Sequence, residues 1–167
     1  MRRIDMEENN KKFLNIETGI KTFVIKPSDE ETGEEEISVK FNPTDTNFAH
    51  RIYDTFEELS TSEEDFQKRL DAASGTAEIF EISGELDDIM RDKINALFGK
   101  DICTPLVGAK PNNVNLYAMA GGMPIWANLV LAVFDEMEDT FSVEQKLHNQ
   151  KMAKYTEKYR SGSKYHK

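Results

Sequence analysis

A single cysteine, Cys103, is all that 167 residues contain, so no internal disulfide can form and a disulfide-built secreted scaffold is excluded. Long apolar runs are missing as well. The most apolar window, Met123 to Phe134, spans 12 residues and opens close to Pro124, well short of the roughly 18 that a membrane span demands. That length suits a buried core helix. Arg2 and Arg3 stand near the N-terminus, but acids and asparagines follow them instead of the apolar stretch of a signal peptide. Positive charge is also scarce, with 21 Lys and Arg against 31 Asp and Glu for a net −10. Phosphate binding needs a cationic surface, which excludes nucleic acid as a partner for the chain as a whole. The expectation is a soluble protein of a reducing cytoplasm, without a membrane partner.

What is present supports one domain. A chain of this length buries roughly 68–70% of the surface its unfolded form exposes. Ten Phe and one Trp supply aromatic anchors that disordered chains lack. The charge is unevenly spread. From Glu144 to Lys167 there are seven Lys and Arg against two acids, a balance of +5, and the other 143 residues hold 14 basic and 29 acidic groups, a balance of −15. An acidic body thus carries a basic, Tyr-containing tail, either a solvated extension or a segment that docks on a partner. The domain reading is a loose polar arm over 1–12, a single α+β domain over 13–143 and the tail over 144–167.

Leu14, Ile16, Ile20, Thr22 and Val24, then Ile37, Val39 and Phe41, alternate in the manner of half-buried strands. The run from Pro27 to Glu36 has turn chemistry and six acids, an exposed loop between antiparallel strands. It fails as a calcium loop, because its glycine falls one place early and no bidentate Glu closes the twelve-residue template. Asn42-Pro43-Thr44-Asp45 ends the strand and offers caps for a helix. Phe48, Ile52, Phe56 and Leu59 form one face of that helix, and Thr61-Ser62 caps the next.

From Phe66 the apolar residues Leu70, Ala73, Ala77, Phe80, Leu86, Met90, Ile94 and Leu97 recur at threes and fours with one longer step. They predict a helix of about 30 residues, roughly 45 Å long, interrupted by Gly75 and Gly84 at up to about 1 kcal/mol each. Such a helix either projects into an oligomer or lies along the final helix. Gly99 to Pro111 reads as a break, and Gly121-Gly122 as a flexible joint. Pro124 suits a helix start, and the helix to Phe141 presents Trp126, Leu129, Val130, Val133, Phe134 and Met137 at helical spacing. The fold class is therefore α+β: an N-terminal antiparallel hairpin or small sheet packed on a helical C-terminal two-thirds with one long helix. A lone hairpin is marginal in water, so the sheet must lean on the Pro124 helix or on another copy, and a homo-oligomer is expected.

The search for chemistry returns no active site. His50 and Asp54 lie four apart on one helix face, but two ligands make neither a structural nor a catalytic zinc site; the pair reads as surface, and no metal is expected. Asp87-Asp88 with Asp92 is a coincidence expected in a chain with 31 acids. No Ser sits in a G-x-S-x-G setting, and Gly121-Gly122 lacks the Lys and spacing of a phosphate loop. Cys103 has no motif around it and reads as a small buried hydrophobe. No catalytic residue and no cofactor follow. Met119, Met123 and Met137 beside Trp126 are either plain core or an adaptable apolar binding surface. With Tyr155 and Tyr159 of the tail they are the candidate partner-binding residues.

Four stretches carry a family resemblance: Leu14-Asn-Ile-Glu-Thr-Gly-Ile-Lys-Thr-Phe-Val-Ile25, Val39-Lys-Phe-Asn-Pro-Thr-Asp-Thr-Asn-Phe48, Asn115-Leu-Tyr-Ala-Met-Ala-Gly-Gly-Met-Pro-Ile-Trp126 continuing from Leu129 to Met137, and Lys154-Tyr-Thr-Glu-Lys-Tyr159. Together, in this order, they resemble the small tail assembly chaperones of long-tailed bacteriophages of Gram-positive hosts. The resemblance implies a non-enzymatic protein of the infected host's cytoplasm, absent from the finished virion. It implies binding to the tape-measure protein, kept soluble while tail-tube subunits polymerise, and often a longer companion form made by ribosomal frameshifting. The acidic run from Asp29 to Glu36 and the arm from Met1 to Lys12 are longer than that family leads one to expect. A virion tail completion or adaptor protein, and a phage inhibitor of a host defence protein whose acidic surface mimics nucleic acid, are the alternatives.

Overall fold

The structure, a computed structural model, describes residues 10–27, 36–138, 149–150, 152–154 and 156–158. It is α+β, as expected. In chain order the elements are β1 (Lys21–Ile25), β2 (Ile37–Phe41), α1 (Thr46–Asp71), α2 (Thr76–Phe98), α3 (Cys103–Val107), β3 (Met119–Ala120), β4 (Met123–Pro124) and α4 (Ile125–Glu138). The N-terminal arm before residue 10, the acidic run over 28–35, and residues 139–148 and 159–167 lie outside the described residues.

β1 and β2 pair antiparallel, with Lys21 opposite Phe41 and Ile25 opposite Ile37. On β2 the buried set is Ile37, Val39 and Phe41, as the alternation predicts. On β1 the phase is opposite to the expected one. Phe23 and Ile25 turn toward the core while Thr22 and Val24 are exposed, and residues 13–20 form no strand. Aromatic packing decides this phase. The Phe23 ring stacks on Phe41 at 4.3 Å, Phe41 on Phe48 at 4.7 Å, and Phe48 meets the edge of Phe98 at 6.2 Å. Contacts of this kind favour offset and edge-on rings, and here they fasten the hairpin to the start of α1 and the end of α2.

α1 runs unbroken through Thr61 and Ser62, where a second helix start was expected. Asp45 caps it, accepting the Asn47 N–H at 2.9 Å. The stripe Phe48, Ile52, Phe56, Leu59 continues through Glu63 to Phe66 and Leu70, so a polar residue occupies one place on the inner face. The 30-residue helix from Phe66 is likewise corrected. The chain turns at residues 72–75, and α1 and α2 form a helical hairpin pinned by Arg69–Glu85 (2.9 Å) and Lys93–Glu58 (2.7 Å). Gly75 is extended, and the Ser74 N–H and hydroxyl both donate to Glu78 at 3.0 Å, closing the start of α2. Gly84 lies inside the helix without breaking it.

Between α2 and β3 the expected break contains the short α3. Pro105 is tolerated in its first turn, where a backbone N–H has no intrahelical acceptor. Gly121 and Gly122 are the turn of a tight hairpin instead of a flexible joint. Both have positive φ, at 63° and 85°, the signature of a turn whose twist matches its strands. α4 then buries Trp126, Leu129, Val130, Val133, Phe134 and Met137, with the Trp126 ring edge-on to Phe56 of α1 at 5.2 Å. Part of the basic tail also packs. Residues 152–154 and 156–158 are helical, Met152 joins the core, and Lys158 reaches Glu64 of α1 at 3.2 Å. Burial of Met152 contributes about 1.5–3 kcal/mol, whereas so exposed an ion pair adds about 1 kcal/mol at most.

Candidate functional site

The candidate partner-binding residues separate by burial. Trp126 and Met137 are completely buried. Trp126 is there because α4 must cover α1, and its indole N–H finds an acceptor in Glu63 at 3.2 Å. Met123 is half-buried in β4 against the core. Met119, in β3, is 61% exposed. The turn that presents it is held by Asn128, whose Nδ2 donates to the Ala120 carbonyl at 2.9 Å. Tyr155 and Tyr159 lie outside the described residues. The Met/Trp group therefore divides into core and one exposed methionine, and it is not a continuous binding face.

The larger exposed apolar surface lies elsewhere, in two places. The first is residues 13–24. Phe13, Leu14, Ile16, Ile20 and Val24 are all at least half exposed, with Leu14 at 83%. This segment leaves the body at Thr18, whose carbonyl accepts Asn42 Nδ2 at 2.8 Å. Gly19 permits the exit. Its φ is +69°, and a Cβ there would come within 2.6 Å of Asn42 Nδ2. The second place is the outer face of α2, where Phe80 is 70% exposed beside Ile79. Phe80 was expected on the core face. Stepping back by fours from Met90, Leu86 and Ile82 reaches Glu78, however, which leaves Phe80 on another side of the helix. That phase was available in the sequence but was masked by the weak apolar residues Ala73 and Ala77.

One buried polar cluster organises the connection between α2 and β3. Asp87 accepts the Leu116 N–H at 2.9 Å and Asn113 Nδ2 at 2.8 Å. Arg91 donates to the Gly108 carbonyl at 2.9 Å and to the Thr104 hydroxyl at 3.2 Å. Asn95 accepts the N–H groups of Ile102 and Cys103. These side chains, one turn apart on α2, satisfy loop groups that burial would otherwise leave unpaired. Burial pushes the Cys103 thiol up to about 12, so it carries no thiolate for nucleophilic work. Asp101 is held below the usual carboxylate range by its hydrogen bonds to Thr104.

Among the described residues no three His, Cys, Asp or Glu gather where they could hold a metal ion. His50 and Asp54 are exposed on α1. No helix of the described residues is long and apolar enough to cross a membrane. The described geometry offers exposed apolar contact surface carried on a charged body. No family model, curated protein or solved structure matches this chain.

Proposed function

We propose that this chain is a non-enzymatic tail assembly chaperone of a long-tailed bacteriophage, holding the tape-measure protein soluble in the host cytoplasm while the tail tube polymerises, and absent from the finished virion. The observation that carries the reading is the ordered set of four stretches that resemble that family. The structure supplies supporting context. The first two stretches meet through the Phe23, Phe41 and Phe48 rings, and the third contains both the core helix α4 and the exposed Met119.

A holdase has two physical requirements that pull against each other. It must offer apolar surface to a long apolar client, and it must not aggregate through that surface. Large net charge disfavours self-aggregation, and the chain carries −10 overall while exposing Leu14, Ile16, Ile20 and Met119. A homo-oligomer, with or without a frameshifted longer form, would multiply those contacts along an extended client.

Co-expression with a tape-measure protein is the test. The client should move from the pellet to the soluble fraction and co-purify with the tagged chain. A client equally insoluble with and without the chain contradicts the reading.

A further inference from the structure

The basic tail docks on its own body, and it is held lightly there. Among its described residues 149–150, 152–154 and 156–158, only Met152 and Thr156 are buried, one turn apart. Met152 joins the core. Thr156 spends its hydroxyl inside the tail, donating to the Met152 carbonyl at 2.9 Å. Lys158 meets Glu64 of α1 at 3.2 Å, with both side chains more than half exposed. Asn149 brings its Oδ1 into the interior without a hydrogen-bond partner, which works against the docked position.

The seat of the tail lies beside the seam between α1 and α4. Glu63, next to Glu64, accepts the Trp126 indole N–H, and the Phe56 ring meets Trp126 at 5.2 Å. Ser60, one turn before Glu64, is buried. The seam is thus closed by large rings, whereas the tail adds one side chain to the core. Elements with so few buried contacts open ahead of global unfolding. A slot that takes an apolar side chain from a helix, next to an acid that takes a cation, fits the helix-in-groove mode of recognition. The tail is its resident occupant.

We propose that the Met152 seat is a docking site for an amphipathic helix of a partner protein, and that the chain's own tail closes it as a displaceable strap. The tail states the chemistry of that helix: an apolar anchor, a small residue one turn on, and Lys or Arg six residues after the anchor to face Glu64. Outside 144–167 the chain holds 14 basic and 29 acidic groups, so a helix basic on its outer side is favoured. The strap weakens each incoming helix by the fraction of time that the seat is open. The inference stands without the client reading, since no tape-measure protein enters its test.

Hydrogen exchange and peptide binding on the full chain test it. In the wild type, amides at 152–158 should exchange at least about tenfold faster than those of α1 and α4. The probe is a designed helical peptide with leucine at the anchor place and lysine six residues later, otherwise unrelated to this chain. In excess it should raise exchange at 152–158 of the wild type and leave α1 and α4 protected, an arm that needs no substitution. Full-length Met152→Asp, whose own tail no longer fits, should keep α1 and α4 protected and bind the probe at least about tenfold tighter than wild type. Glu64→Lys should weaken binding in both backgrounds, and a probe with aspartate at the anchor place should bind neither. A tail that exchanges only with the core, a probe that leaves wild-type tail exchange unchanged, or a folded Met152→Asp chain that binds no tighter overturns the proposal. Dimers built by exchange of tails and abolished by Met152→Asp would give the seat to a second copy, and overturn it likewise.

Discussion

Asp87 and Leu116 are 29 residues apart, yet the carboxylate of one accepts the backbone N–H of the other at 2.9 Å inside the protein. The other carboxylate oxygen holds Asn113, so one side chain on α2 fixes the chain just before β3. Asp87→Ala leaves a buried donor without its acceptor, which costs about 1–3 kcal/mol. Urea unfolding should show a lower midpoint at unchanged slope.

Trp126 couples α4 to α1 through the Phe56 ring and Glu63. Trp126→Ala opens a large cavity and removes the Glu63 partner, and about 3–5 kcal/mol of stability should be lost. Thermal unfolding by circular dichroism measures it. Trp126→Phe should retain much of the packing while losing the hydrogen bond, placing its midpoint between wild type and Ala.

The pH dependence has two limbs of opposite sign. Burial raises the Cys103 thiol from 9.0 to about 12. Above 9 the unfolded chain releases this proton while the folded chain retains it, so stability falls as pH rises from about 9 toward 12. Cys103→Ala should flatten that limb. Hydrogen bonds to Thr104 lower Asp101, so its contribution is present above the ordinary carboxylate pKa and fades as pH falls through the lowered value. Asp101→Asn should flatten the acid limb. Urea midpoints measured across pH check both.

Gly84 lies inside α2 with no atom within 4 Å of where a Cβ would stand. Gly84→Ala should raise stability by roughly 0.5–1 kcal/mol, because the methyl group enters open space and the helix gains propensity. Differential scanning calorimetry measures it.

The parts of the fold legible in the sequence are those where one periodicity dominates. The alternation of Ile37, Val39 and Phe41, the Asp45 cap and the stripe from Trp126 to Met137 all appear as expected. The errors have physical causes. Glu63 sits on the apolar stripe of α1 because the Trp126 indole needs an acceptor, and a polar residue there reads as a helix boundary. Ala73, half-buried in the turn, and Ala77, exposed, continue the spacing of an apolar stripe, which hides the turn over 72–75 and carries Phe80 to the wrong face. On β1, Ile20, Thr22 and Val24 alternate as well as Phe23 and Ile25 do, and only the tertiary stack on Phe41 separates the two phases. The candidate site was legible in part. Met119 is at the surface, but the alternation of the arm residues reads as strand and the spacing of Phe80 as core, because exposure is a property of what does not pack against them.

The most direct measurement for the chaperone reading is light scattering on diluting denatured tape-measure protein into buffer. With the full chain present in molar excess, scattering should be suppressed and the client should stay in the supernatant after centrifugation. Scattering identical to that in buffer alone, from a chain shown to be folded, would contradict it.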